Sequence, residues 1–227
     1  MKTFLFLFIF SMASITITAA AEPAQFNTQW IPSKPEVLTY RSTGNQGDGL
    51  YQVSISKGDS GIEIYMNIIS PGFTKTVSGT MTSDMRPLQS KSKIIVNGQV
   101  IMDTKCIYES DRLSITTVVL PYNQTMTNTP SFSRPVIDFS QVPLLARTLS
   151  LEKGAAYTFT SLNPQTNTLI PLTVKVTGEG SAQEVDCYKV EVNDFEGLSI
   201  YWVEKGSRHR VIRVEQPGSH RTTELLQ

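Results

Sequence analysis

Side chains suited to acid–base or metal chemistry are scarce in this chain of 227 residues, which has two histidines and two cysteines. His209 and His220 lie eleven positions apart beside arginine, a setting typical of exposed turns and not of a zinc pair or a catalytic triad. The chain also has no Gly-x-Ser-x-Gly elbow and no phosphate-binding loop in a strand-to-helix context. We therefore expect a protein that is not an enzyme, with no catalytic residue, no cofactor and no metal site.

The charges are balanced and dispersed. Twenty basic and twenty acidic residues give no net charge, and like charges form no run. Duplex nucleic acid is bound through clustered Lys and Arg, so a nucleic-acid partner is not expected. A polybasic contact with a membrane surface lacks support for the same reason.

The longest apolar stretch lies at the start of the sequence. Lys2 precedes an apolar stretch from Phe4 to Ile17 that Ser and Thr interrupt, and Ala19 to Ala21 supply the small residues that a signal peptidase requires. We predict a signal peptide over residues 1–21, removed after Ala21, and a periplasmic or secreted mature protein. An uncleaved anchor is the alternative. No later apolar run exceeds a strand in length, so no integral membrane segment is expected after cleavage.

The two cysteines, Cys106 and Cys187, allow one disulfide in an exported chain. Strand parity argues against the pair, because Cys106 shares a face with apolar neighbours and Cys187 with Lys189 and Glu191. Two separate thiols are the alternative, and the oligomeric state is left open.

Most of the chain has the alternation of β-strands separated by turn residues. Ile62, Ile64 and Met66 alternate with polar residues, and Asn97-Gly98 is a strong signal for a tight hairpin. About a dozen strands are predicted. Since strand twist accumulates, so large a sheet must curl or split. We predict residues 22–227 to be a single mainly β domain: a strongly curved antiparallel sheet, or half-barrel, with one short helix on its concave face.

Two segments interrupt the strand pattern. The polar stretch 122–135 has no periodicity and is predicted to be a flexible crossover. Residues 138–149 are predicted to be the helix, with Ser140 as N-cap and Pro143 in the first turn. One side of this helix is apolar through Val142, Leu145 and Leu149.

Three short motifs stand out along the chain. They are TMTSDMRPL (80–88), VIDF (136–139) leading to LARTL (145–149), and YWVE (201–204) leading to VIRV (211–214). Together they resemble an exported bacterial family of unknown function whose fold is similar to that of the periplasmic lipoprotein carriers. The resemblance implies an antiparallel half-barrel with a concave apolar face and a helix acting as plug or lid. It implies lipoprotein transport only distantly and carries over no catalytic residue.

A non-catalytic protein with this architecture is predicted to bind or carry an apolar ligand or a lipid-linked partner, such as a lipid or lipoprotein, in a groove between sheet and helix. The candidate groove residues are Val142, Leu145, Arg147, Leu149 and Trp202. Arg147 could meet a lipid head group, and an ordinary surface charge is the alternative. The other interpretation of Trp202 is a core residue.

Two other functions fit parts of the pattern. An envelope assembly protein would add a partner's strand to an exposed sheet edge. A small outer-membrane barrel needs strands of about 9 to 11 residues and aromatic girdles. Most predicted strands are shorter and the aromatic residues are scattered, so the barrel is the least favoured.

Overall fold

The computed structural model describes residues 24–45, 47–132, 136–163 and 168–226, without the side chain of Asn163. The predicted signal peptide, residues 1–21, lies outside these ranges. Within them, no helix is both long enough and apolar enough to cross a membrane.

Within the described ranges, fifteen strands form one sheet. They are β1 (Glu36–Thr43), β2 (Gly49–Gly58), β3 (Gly61–Ser70), β4 (Phe73–Met81), β5 (Pro87–Val96), β6 (Gln99–Tyr108), β7 (Leu113–Val119), β8 (Gln124–Asn128), β9 (Val136–Ile137), β10 (Ala156–Asn163), β11 (Thr168–Ala182), β12 (Val185–Asp194), β13 (Gly197–Glu204), β14 (Val211–Gln216) and β15 (Arg221–Leu225). One helix, α1 (Val142–Thr148), directly follows the 3-10 turn Phe139–Gln141, and we call the two together the helical segment. Two further 3-10 turns are Leu120–Tyr122 and Pro217–Ser219.

The sheet consists of two meanders joined by the first and last strands. Strands β1 to β8 pair antiparallel in chain order, as do β10 to β15. The two halves meet where β1 pairs with β15, with Tyr40 opposite Leu225. Strand β9 pairs parallel with β10, so β8 and β9 are the two ends of the strand order.

The predicted fold class, mainly β with one short helix, is confirmed. The prediction of about a dozen strands omitted β1, β8 and β9. Each carries a weak signal: the buried alternation of β1 rests on Leu38 and Tyr40, every residue of β8 is exposed, and β9 has only two residues.

The stretch from Tyr122 to Pro135 is more regular than predicted. Asn123 adopts a left-handed conformation with φ of 47°, which asparagine tolerates better than most residues. The chain reverses there and β8 pairs with β7. Residues 129–132 then lead away from β8, and residues 133–135 lie outside the described ranges.

The N-cap of the helical segment lies two residues before the predicted cap, Ser140. Asp138 is the N-cap, because its carboxylate accepts a hydrogen bond from the Ser140 backbone N–H at 2.8 Å. The Gln141 side chain accepts from the Asp138 backbone N–H at 2.7 Å, which completes a capping box. Pro143 lies in the first turn of α1, as predicted.

The core lies between the sheet and the helical segment. Leu144 and Leu145 of α1 have no exposed surface and belong to the larger of two apolar clusters. The smaller cluster joins residues from near both ends of the strand order, including Ile115 of β7 and Leu162 of β10. Twelve strand spacings would separate these strands by roughly 58 Å in a flat sheet, so the two ends of this sheet approach each other.

Replacing Leu145 with alanine is expected to lower the free energy of unfolding by about 2 to 5 kcal/mol, because it leaves a cavity under the helix. The same truncation at Val37, which is 59% exposed, should cost less than about 0.5 kcal/mol. Urea unfolding of the two variants measures the difference. Equal losses would show that α1 is not part of the core.

Candidate functional site

A buried carboxylate holds the start of the helical segment against the sheet. Asp138 is 1% exposed. It accepts hydrogen bonds from Ser90 Oγ of β5 at 2.7 Å, from the Tyr108 hydroxyl of β6, and from the Ser140 backbone N–H. Gly79 of β4 permits the close approach, since a Cβ there would clash with Ser140 Oγ. The start of the segment is thus fixed on β4, β5 and β6.

The groups around Asp138 stay protonated at neutral pH. Burial, and then the negative charge of Asp138, raise the pKa of Cys106 to about 12. The same two causes raise the pKa of Tyr108 well above its usual value. A thiol with so high a pKa is a poor nucleophile, and the protonated phenol is the form that donates to a carboxylate. The cluster is therefore suited to holding the segment and not to nucleophilic catalysis.

A buried guanidinium holds the other end of the helical segment. Arg147 is 2% exposed and donates to Glu36 Oε2 at 2.9 Å and to the carbonyl oxygens of Arg208 and His209, both at 3.0 Å. Its guanidinium carbon lies 3.9 Å from the centre of the Trp30 ring. The end of the segment is thus fixed on β1 and on the loop between β13 and β14.

These contacts correct the prediction that Arg147 meets a lipid head group or is an ordinary surface charge. The side chain is in the core and its donors are already used by Glu36 and two carbonyl groups. A head group could reach it only if the segment left the sheet.

The structure does not bring the other predicted groove residues together at a surface. The side chains of Val142, Leu145 and Leu149 are at most 6% exposed and belong to the main core cluster. Trp202 lies on the other face of the sheet, since its strand neighbours Tyr201 and Val203 are the buried ones. Its indole N–H donates to Glu215 at 3.0 Å.

The disulfide that the cysteine count allowed is absent from the described structure. Cys106 and Cys187 are both free and buried. Cys106 belongs to the smaller cluster and Cys187 to the larger one, so the two thiols lie in different parts of the core.

A different set of apolar side chains is left partly uncovered on the helix-bearing face. Cross-strand pairing places them side by side from β2 to β7. They are Tyr51, Ile68, Phe73, Ile94, Val96, Met102 and Val119, and we call them the apolar strip. Phe73 is 36% exposed and the other six are half-buried. Among the described residues, Tyr51 is the member that packs against a core cluster, and both clusters stop short of the rest.

The apolar strip lies one row beyond the buried core. Ile68 is two residues after Met66, and Met102 is two residues before Thr104, so each shares a face with a buried neighbour. Lys75 of β4 lies within this row, opposite Ile68 and Ile94. Strand alternation predicted most of these strands but not the register between them. The strip exists only because of that register.

Two depressions lie elsewhere on the molecule. One, of about 560 Å³, opens between β1 and β14 where β15 ends, and Val37, Leu226 and Arg210 are among its lining residues. The other, of about 330 Å³, is lined mainly by polar residues of β2 to β5, including Glu63 and Lys91. Neither contains a predicted groove residue.

The chain is a mainly β protein with an internal helical segment, which the buried residues Asp138 and Arg147 hold against the sheet. The model of the family described as "Protein of unknown function (DUF3108)" matches residues 37–225, and the chain belongs to this family. The predicted membership of a family of unknown function is confirmed in this respect, while export and likeness to the lipoprotein carriers stay predictions.

One solved structure is similar to the chain: the beta-barrel-like protein of domain of unknown function DUF1849 from Brucella abortus. Its TM-score is 0.58 at 10% identity, with 87% of this chain and 98% of that chain covered. At this identity the likeness shows the fold alone. No curated protein matches the chain.

The Arg147→Met variant is expected to lose about 3 kcal/mol of unfolding free energy. The reason is that Glu36 and two carbonyl oxygens lose the hydrogen-bond donor that they share in the wild type. Arg86→Met is the matched control, since Arg86 pairs with Asp84 at 2.8 Å with both side chains more than half exposed, and should lose less than about 1 kcal/mol. Chemical denaturation measures both. If the free energy of unfolding fell as little for Arg147→Met as for Arg86→Met, the role of Arg147 in holding the end of the helical segment would be contradicted.

The two thiols are expected to resist a thiol reagent in the folded protein and to react fully once it is unfolded without reductant. Burial and, for Cys106, a pKa of about 12 account for the protection in the native state. Colorimetric titration in and out of guanidinium chloride gives the count. Finding no reactive thiol after unfolding would instead reveal a disulfide.

Proposed function

We propose that this is an exported, non-catalytic periplasmic protein that binds or carries an apolar ligand or lipid-linked partner on the concave face of a half-barrel. The ligand lies on the apolar strip, beside the helical segment and not beneath it. The observation that carries the proposal is the strip itself: contiguous apolar surface on the core face that, apart from Tyr51, packs against neither core cluster.

The two faces of the same strands support this assignment. On the opposite face, the row nearer the core is polar: Asn67, Thr76, Lys93 and Asp103 lie opposite one another across β3 to β6. The next row outward on that face includes Ile69 and Ile95. On the helix-bearing face, by contrast, Ile68, Ile94 and Met102 continue the apolar row of the core. Contiguous exposed apolar surface is typical of a binding site.

The strip also suits weak, reversible binding. Its members are half-buried without a ligand, so an apolar chain laid on them would remove the remaining surface from water, at about 25 cal/mol per Å². The helical segment stays in place during binding, because both its ends are bonded to the sheet. A carrier of this design needs no moving lid.

The family and the similar structure are consistent with the proposal but leave the ligand open. The β-barrel-like fold of the DUF1849 protein supports the half-barrel, and the apolar leader of residues 1–21 supports export. The scarcity of histidine and the protonated Cys106 thiol support a non-catalytic role.

A second candidate is an envelope assembly protein that accepts a partner's strand. The depression where β15 ends favours it. There the ladder between β1 and β15 stops at Tyr40 opposite Leu225, followed by one hydrogen bond from Leu226 N–H to the Thr39 carbonyl. An extended segment could continue β15 between β1 and β14.

Native mass spectrometry of protein purified from the bacterial envelope, before and after organic extraction, tests the first candidate. We expect an extractable lipid on the wild type and its loss in Met102→Asp, because a carboxylate in the strip must be desolvated when the chain binds. Ile107→Asp is the control: Ile107 lies on the same strand, on the other face, and is 41% exposed. A protein partner without any lipid would favour the second candidate.

A further inference from the structure

The charge inside the apolar strip indicates what kind of ligand it would take. Lys75 is half-buried on β4, with Ile68 and Ile94 directly opposite on the neighbouring strands and Phe73 two residues before it. Its ammonium group lies 5.6 Å from the centre of the Phe139 ring, at the start of the helical segment. It is the one charged residue in this row of the helix-bearing face between Tyr51 and Val119.

No carboxylate of the described chain pairs with Lys75. The ion pairs of the described residues involve other cations, and the neighbouring Lys93 pairs with Asp103 at 3.5 Å on the opposite face. Asp138, the buried carboxylate next to Phe139, already accepts hydrogen bonds from Ser90 and Tyr108. A half-buried ammonium group loses part of its hydration. The Phe139 ring gives Lys75 an aromatic contact, and among the described residues no anion completes its surroundings.

We propose that Lys75 binds the carboxylate of a fatty acid whose hydrocarbon chain lies along the apolar strip. This inference rests on the proposed function and adds the ligand class. An anionic head supplies the missing partner of Lys75, and Ile94, Met102 and Val119 continue from it across β5 to β7. From Lys75 on β4 to Val119 on β7 there are three strand spacings, or roughly 14 Å, which gives an extended chain an apolar track that begins at the ammonium group.

Calorimetry with two probes of equal chain length tests the inference: laurate, which is anionic, and monolaurin, its neutral glycerol ester. Delipidated wild type should bind laurate more tightly. In Lys75→Met the dissociation constant for laurate should rise about tenfold or more, as expected for a partly desolvated charge pair, while that for monolaurin stays within about twofold. Lys75→Arg should restore laurate binding, because it keeps the charge.

Lys91→Met is the matched control. Lys91 is exposed on the neighbouring strand, on the other face, and its loss changes the net charge by the same amount. Circular dichroism checks that each variant is folded. If wild type binds both probes alike and Lys75→Met changes neither, or if Lys91→Met weakens laurate equally, the role of Lys75 is overturned and the apolar carrier stands. If neither probe binds wild type, both proposals fail.

Discussion

The position of the helical segment depends on two buried charges, one at each end. Asp138 bonds the start to β5 and β6, and Arg147 bonds the end to β1 and to the loop before β14. Strands β5, β6 and β1 belong to the first meander of the sheet, and the loop before β14 belongs to the second. The segment therefore connects the halves through polar contacts, while its leucines fill the space between them.

This arrangement changes what the interior can do. A helix whose ends are bonded and whose apolar side is fully packed cannot also act as a lid over a groove. The free apolar surface lies instead one row further along the same face, where the strands of the first meander extend past the helical segment. Binding there requires no unpacking, so the same molecule can have a rigid core and an accessible apolar surface. Lys75 places one positive charge within that surface.

The sequence predicted the elements of this fold better than their contacts. Alternation and turn residues located most strands, and the apolar side of residues 138–149 located the helix. Asp138 and Arg147 could not be recognised as anchors, because their partners Ser90 and Glu36 are 48 and 111 residues away. The same limit applies to the candidate site. Ile68 and Met102 were recognisable as strand residues. Their position in one row with Lys75 follows from the register of the paired strands, and the register depends on the pairing of the whole sheet.

Amide hydrogen exchange across the helical segment tests the central claim most directly. If both ends are anchored in the core, the amides of Leu145 to Thr148 should open only with global unfolding, with the same free energy as those of Val53 and Ile55 in β2. Exchange of the helix amides at a markedly lower free energy, while β2 stays protected, would show a segment that leaves the sheet as a lid and would contradict this account.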